Sequence, residues 1–238
     1  MEFNEICIGL PVFNESKNIL GTLEKTLDYV EKYKNWQIII VDNNSTDNSV
    51  EVINNFLKNK IIQINNKIKF IKNEKNLFYS GSSEIILQNS IFNTVGIVDS
   101  DGQYDLNDFD KLLSKINQGS DFVVGYRKKR NDNFFRIFMS AIFQYVTFFL
   151  IKNSLRDLNS GIKIIKKNKK IETYCNYLIN FSNPELFCKY KSLDLTISET
   201  QVNHYERSQG ESLHKNFLNV NKVISFFKYL FYCRSLLI

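Results

Sequence analysis

Asp99 and Asp101 stand two residues apart, with only Ser100 between them. Two carboxylates at that spacing can converge on one hard divalent cation. Mg2+ and Mn2+ favour oxygen ligands and are commonly shared with the phosphates of a substrate. Such an ion neutralises a leaving diphosphate. The same residues, followed by Gly102, also suit an Asp-rich turn that caps the next helix, because Asp, Ser and Gly all favour turns. Position decides between the two readings. The pair follows the apolar run Val95-Gly96-Ile97-Val98. Two more polar segments follow apolar runs: Asn14-Glu15 after residues 6–12, and Asp42-Asn43-Asn44-Ser45 with Asp47 after residues 36–41. The second offers carboxylate and amide groups that can read a nucleotide's base and ribose. Its Ser45 or Thr46 can cap a helix without Asp42.

To work together, these segments need strands that end along one edge of a sheet. Residues 17–33 carry apolar residues at Ile19, Leu20, Leu23, Leu27 and Val30, a helical spacing. A second helix is expected over 46–57, opened by capping-type residues. A strand at 67–72, a helix at 79–93 and a strand at 95–98 follow. Alternating strands and helices predict a parallel sheet with right-handed crossovers. Strands buried on both faces are continuously apolar, as 38–41 and 97–98 are. Ligands bind outside the carboxyl ends of such strands, which is where all three polar segments fall. Further on, a short helix is expected over 106–116 and a strand over 121–125. A long helix over Phe134–Ile151, a strand at 160–165, a short helix at 184–190 and an extended run over 193–205 complete the pattern.

Pro11-Val12-Phe13-Asn14-Glu15, Ile40-Val41-Asp42-Asn43-Asn44-Ser45-Thr46-Asp47 and Val98-Asp99-Ser100-Asp101-Gly102-Gln103 resemble the N-terminal motifs of family 2 glycosyltransferases, in the same order and spacing over residues 6–125. The resemblance implies the GT-A fold: an α/β nucleotide-sugar-binding domain, with a mostly parallel central sheet flanked by helices. It implies that Pro11, Glu15 and Asp42 contact the donor nucleotide. Asp99 and Asp101 would act at the Mg2+ or Mn2+ ion and the diphosphate, with Gln103 in the extended metal motif.

The second half is similar to the polyprenyl-phosphate branch of that family, which includes dolichyl-phosphate mannose synthase and bacterial undecaprenyl-phosphate sugar transferases. The residues concerned are Val124-Gly125-Tyr126-Arg127, residues 156–163 from Arg156-Asp157 to Gly161-Ile162-Lys163, and Glu206-Arg207-Ser208-Gln209-Gly210-Glu211-Ser212. By that resemblance Arg127, Arg136, Ser140 and Arg207 surround an acceptor phosphate, with Lys215 nearby. Many family 2 enzymes that act on sugar hydroxyls carry a catalytic Asp base in a downstream Glu-Asp motif. That pair is missing here; the nearest carboxylate is Glu185, which also suits the start of a helix. A phosphate acceptor is already anionic and needs no general base. The expected activity is inverting transfer to a polyprenyl phosphate. Transfer to a saccharide hydroxyl, or a membrane-associated subunit without turnover, stands as the alternative.

Arg136, Ser140 and Gln144 are spaced by four and share one face of the expected long helix. The rest of that helix is apolar. Its 18 residues span ~27 Å, barely a bilayer's hydrocarbon thickness, and the polar stripe argues for lying at the interface instead. Residues 217–238 are also apolar and aromatic, interrupted by Lys222, Lys228 and Arg234; docking on anionic lipid or packing on the core both suit them. We expect a catalytic domain over residues 1–212 and a helical appendage over 213–238, attached peripherally at the cytoplasmic face of a membrane. The chain is basic, with a net charge of +6 and a pI near 9.0. This suits acidic partners, but zinc spacings and aromatic RNA-binding signatures are lacking, so nucleic acid is not an expected partner. Cys7, Cys175, Cys188 and Cys233 form no C-x-x-C pair and read as reduced thiols. No signal peptide is expected from the N-terminal residues. His204 reads as a packing or surface residue near the basic loop.

Overall fold

The computed structural model describes residues 5–64, 66–127, 134–207 and 220–238. The first half alternates strand and helix: β1 (Glu5–Val12), α1 (Ile19–Val30), β2 (Asn35–Asp42), α2 (Ser49–Ile64), β3 (Ile68–Lys72), α3 (Phe78–Asn89) and β4 (Thr94–Ile97). Then come a short 3-10 turn (Leu106–Asp108), α4 (Phe109–Asn117), β5 (Phe122–Arg127) and the long α5 (Phe134–Ile151). The last elements are β6 (Lys163–Lys166), α6 (Asn183–Ser192), β7 (Ile197–Val202) and α7 (Val220–Ser235).

Among the described residues the strands form one seven-stranded sheet in the order β3-β2-β1-β4-β6-β5-β7. β1 pairs in parallel with β2 and β4, and β2 with β3. β6 runs antiparallel to both neighbours, and β5 and β7 are parallel. The chain grows to one side of β1 through β2 and β3, then crosses to place β4 on the other side. The ends of β1 and β4 therefore mark a topological switch point, where a crevice opens outside the strand ends.

Alternation along the strands divides the core in two. Ile6, Ile8, Leu10 and Val12 of β1 pack with Leu23 and Leu27 of α1, Ile53 of α2 and Phe109 and Leu112 of α4. Cys7, with Ile39 and Val41 of β2, packs on the other face with Ile86 of α3, Leu186 of α6 and Tyr229 of α7. Each such buried aliphatic contributes about 1.5–3 kcal/mol from apolar burial. α7 lies against α5 and α6, with Tyr229, Leu230 and Cys233 fully buried. Tyr229 donates to the Phe181 carbonyl at 3.0 Å and accepts from the Glu185 amide at 3.1 Å.

Four boundaries differ from the periodicity. α2 begins at Ser49 rather than Thr46, because the Thr46 amide donates to Asn14 Oδ1 and Asp47 Oδ1 accepts the Ser49 amide. Residues 43–48 are thus held as a loop. α3 stops at Asn89, where Ser90 turns extended. The strand expected at 160–165 starts at Lys163, because the preceding turn packs against Asp99. The extended run at 193–205 contains a strand only over Ile197–Val202.

Candidate active site

β1 and β2 end side by side, with Pro11 opposite Val41 and Val12 opposite Asp42. Their loops are joined by side-chain hydrogen bonds. The Asn14 amide donates to Ser45 Oγ at 3.0 Å, the Glu15 amide to Ser49 Oγ at 2.8 Å and the Ser16 amide to Asp47 Oδ2 at 3.0 Å. Asn14 and Asn44 take the left-handed conformation (φ 56° and 63°), which Asn tolerates better than most residues. Asp42 is fully buried. Its Oδ2 accepts the Ser45 amide at 3.2 Å, and its Oδ1 has no hydrogen-bond partner among the described residues. A buried acceptor left unpaired costs free energy unless a ligand satisfies it.

The Asp99-Ser100-Asp101 turn is fixed from the inside by its middle residue. Ser100 Oγ donates to the Pro11 carbonyl at 2.8 Å, and Thr22 Oγ1 donates to the Ser100 carbonyl at 3.1 Å. Ser100 thus ties the end of β4 to β1 and α1, leaving both Asp side chains for the crevice. Gly102 then turns the chain at φ +76°. The Asp101 carboxyl is pushed up to about 7, first by burial and then by the charge of Asp99; Glu15 adds to this, while the Gln103 amide and Arg207 oppose it. Asp99 Oδ1 is buried with no hydrogen-bond partner among the described residues. These residues fit a divalent cation: two repelling carboxylates, an unpaired buried oxygen and oxygen-only donors. No group of three or more His, Cys, Asp or Glu poised for a metal occurs among the described residues. Substrate phosphate and water would complete the shell, as is usual for Mg2+.

Arg207 reaches into the same crevice. Its Nη2 donates to both Glu15 carboxylate oxygens at 2.6 Å, and its Nη1 lies 4.0 Å from Asp101 Oδ2. The segment bearing it is stitched to the metal turn. The Tyr205 amide donates to the Gln103 carbonyl at 2.8 Å, and Gln103 Nε2 donates to the Tyr205 carbonyl at 3.0 Å. His204 packs edge-on against the Tyr104 ring at 5.1 Å. Arg127 forms a bidentate pair with Asp157 at 2.7 and 3.0 Å. Arg136 lies in α5 with its side chain outside the described residues, as does all of 208–219, including Lys215. Ser140 is half-buried on α5. Glu185 is fully buried and accepts the Asn176 and Tyr177 amides, the Tyr232 hydroxyl and Lys189.

The structure adds residues around Asp99 that carried no role in the sequence. The Tyr79 hydroxyl, at the start of α3, is pushed well above its ordinary value, first by burial and then by the charge of Asp99. A Cβ on Gly161 would lie 1.9 Å from Asp99 Oδ2. The Gly161 amide donates to Tyr104 Oη at 2.9 Å. Lys163, fully buried, donates to Tyr79 Oη at 3.2 Å. One signal was present: Lys163 is a charge flanked by the apolar Ile162 and Ile164-Ile165. The partners themselves lie 62 and 64 residues from Asp99, at Gly161 and Lys163, beyond any local pattern.

Comparison with known proteins agrees with this geometry. The model of the Glycosyl transferase family 2 family matches residues 7–181, from β1 to just before α6. A dolichyl-phosphate beta-glucosyltransferase of Trichomonas vaginalis is 23% identical over 218 residues, covering 81% of this chain and 61% of that protein. An undecaprenyl-phosphate 4-deoxy-4-formamido-L-arabinose transferase of Pectobacterium atrosepticum is 28% identical over 138 residues, covering 57% of this chain and 40% of that protein. The chain thus spans less than two thirds of these relatives. Glucosyl-3-phosphoglycerate synthase from Mycobacterium tuberculosis, solved with Mn2+, uridine diphosphate and phosphoglyceric acid, shares the fold. It has a TM-score of 0.64 at 14% identity, over 95% of this chain and 78% of that one. The fold is the expected GT-A arrangement, and the chain belongs to glycosyl transferase family 2.

Proposed function

We propose that this chain transfers a sugar from a nucleotide-sugar donor to a polyprenyl phosphate, dolichyl or undecaprenyl, with inversion at the anomeric carbon. The observation that carries the reading is the convergence of Glu15, Asp42, Asp99, Asp101 and Arg207 outside the ends of β1, β2 and β4. The named relatives that act on dolichyl and undecaprenyl phosphates support the acceptor class. Catalysis lies in residues 1–212, with 213–238 as a helical appendage.

In this reading Asp42 and Glu15 bind the nucleoside end of the donor, beside Pro11. The unpaired Asp42 Oδ1 accepts a donor hydroxyl or amine. Asp99 and Asp101, with Gln103 bracing the turn, hold Mg2+ or Mn2+, which supplies charge neutralisation for the diphosphate. An acceptor phosphate oxygen attacks the anomeric carbon in line. The new carbon–oxygen bond forms as the bond to the diphosphate breaks, and the nucleoside diphosphate leaves. Arg207, now against Glu15 and Asp101, orients acceptor phosphate beside the departing diphosphate; its planar fork suits that task. Arg127, Arg136 and Ser140 form the rest of the phosphate's surroundings. No proton has to be removed from the acceptor, in keeping with Glu185 being occupied by backbone amides and Lys189.

The acceptor's lipid tail is met by a membrane surface. On α5, Tyr145, Phe148 and Phe149 are 66%, 59% and 60% exposed, and on α7 Phe231 is 57% exposed. Lys152, Arg156, Lys228 and Arg234 are exposed on or beside the same helices. Aromatics with basic neighbours suit peripheral docking on the anionic cytoplasmic leaflet. No helix among the described residues is long and apolar enough to cross a membrane. A melting screen of nucleotide sugars with and without Mn2+ tests the donor half, because a bound donor raises stability by linkage. An acceptor panel of polyprenyl phosphates and oligosaccharides tests the other half. Product on oligosaccharide alone would overturn the acceptor assignment.

A further inference from the structure

Arg127 is the last residue of β5. β4 and β5 both run antiparallel to β6, so they are parallel to each other, and Arg127 stands at the same sheet edge as Asp99. Its guanidinium is held by one carboxylate from the loop joining α5 to β6. Asp157 Oδ2 accepts Arg127 Nε at 2.7 Å, and Oδ1 accepts Nη2 at 3.0 Å. The same Oδ2 takes the Arg127 backbone amide at 3.3 Å. The Asp157 and Arg127 side chains are only 5% and 12% exposed, so the pair is largely shielded from water. The loop itself is braced at both ends. Gln144 of α5 donates to the Leu155 carbonyl at 3.0 Å and to the Arg156 carbonyl, and it shares its helix face with Arg136 and Ser140. The Ser160 amide donates to the Asp157 carbonyl at 3.1 Å. Gly161 then packs against Asp99 and donates to Tyr104 Oη at 2.9 Å.

A bidentate arginine–carboxylate pair fixes more than charge. It sets the plane of the guanidinium, and with it the direction of the other N–H groups. A buried ion pair is often replaceable by apolar residues at little or no cost in stability, so the fold alone does not call for one at the end of β5. Aim matters far more to a reacting phosphate. Misplacement by about 1 Å costs on the order of 100-fold in rate.

We infer that Asp157 is a positioning residue for the acceptor: by clamping the Nε–Nη2 edge of Arg127, it aims the guanidinium at the acceptor phosphate beside the metal turn. This rests on the reading of Arg127 as part of that phosphate's surroundings. The test titrates the full chain with farnesyl phosphate, a short polyprenyl phosphate, in the presence of Mn2+ and uridine or guanosine diphosphate, by calorimetry. Mn2+-dependent diphosphate binding and melting are measured alongside, for wild type, Asp157→Asn, Arg127→Met and the double variant. Asp157→Glu keeps the charge and shifts the carboxylate by one methylene, so it serves if Asp157→Asn folds poorly.

Asp157→Asn and Asp157→Glu weaken farnesyl phosphate binding about tenfold or more, the scale of a lost hydrogen bond to a charged group. Diphosphate binding stays as in wild type. The double variant is no worse than Arg127→Met, because Asp157 acts through Arg127. A carboxylate that merely holds the loop against Asp99 would weaken diphosphate and farnesyl phosphate binding together, and that result overturns the inference. So does farnesyl phosphate binding that Arg127→Met loses and the Asp157 variants keep, or additive effects of the two substitutions. Unchanged binding in Arg127→Met, or no farnesyl phosphate binding by wild type, overturns it together with the reading of Arg127.

Discussion

Burial does most to lift the Asp101 carboxyl to about 7, and the Asp99 charge adds to it. Two acids kept close together without a cation strain the free protein and prepare it for one. Asp101→Asn keeps the shape and removes the repulsion. It is expected to melt no lower than wild type at pH 7 while losing about 100-fold or more in transfer rate, the scale of a lost charge-stabilising group. Parallel melting and rate measurements check both halves, and an active variant would remove Asp101 from the site. Gly161→Ala tests the packing on Asp99. A Cβ placed 1.9 Å from Oδ2 and 2.3 Å from Cγ must displace the carboxylate. Overpacking of this kind costs about 1–3 kcal/mol, and the variant should lose Mn2+-dependent nucleotide binding as well; denaturant melts and titration report the two effects. The carboxylates were legible in the sequence because each follows a strand directly. Gly161 and Lys163 carried no role there, because what brings the Gly161 turn against Asp99 is the antiparallel insertion of β6 beside β4, which no local pattern announces.

α5 was legible to its ends, Phe134–Ile151, because its apolar residues are continuous and its polar ones recur every four. The start of α2 was not, because the competing caps come from the β1 loop, 30 or so residues away. The outward face of α5 carries its own prediction. Phe148 and Phe149 are 59% and 60% exposed, so changing both to Ser leaves melting nearly unchanged. A phenylalanine transferred from water is worth about 1.5–3 kcal/mol, so sedimentation with anionic phosphatidylglycerol vesicles should weaken at least about tenfold. Equal sedimentation would move the membrane face elsewhere. β6 yields a pH prediction. Burial holds the Lys163 ammonium down at about 8, against the opposing pull of Asp99, from an ordinary value of 10.5. Between those two values the unfolded chain binds the proton and the folded chain does not, so the contribution of Lys163 to stability rises with pH. It is least favourable below pH 8, where the buried ammonium is charged. Relative to Lys163→Met, wild type should therefore gain stability from pH 8 to about pH 10 in urea melts. A constant difference between the two would mean that the lysine titrates normally.

On the scale of the molecule, the strand order places every proposed donor contact at one switch point beside β1. The family model covers the same stretch, residues 7–181. The α/β alternation of the first half made that geometry legible in advance. The antiparallel β6 and the docking of α7 on α5 and α6 depend on long-range packing and were not. Arg207, grouped in sequence with the acceptor phosphate, lies against Glu15 and Asp101, so the proposed donor and acceptor sites adjoin within the crevice. The central claim is transfer from a nucleotide sugar to a lipid phosphate at that crevice. The most direct measurement is mass spectrometry of the lipid fraction after incubating the full chain with Mn2+, undecaprenyl or dolichyl phosphate, and a donor selected by melting. Wild type should convert the lipid phosphate to its mass plus one anhydro-sugar, with equimolar nucleoside diphosphate released, and Asp101→Ala should yield neither. Unmodified lipid phosphate beside a glycosylated saccharide, or equal product from Asp101→Ala, would contradict the account.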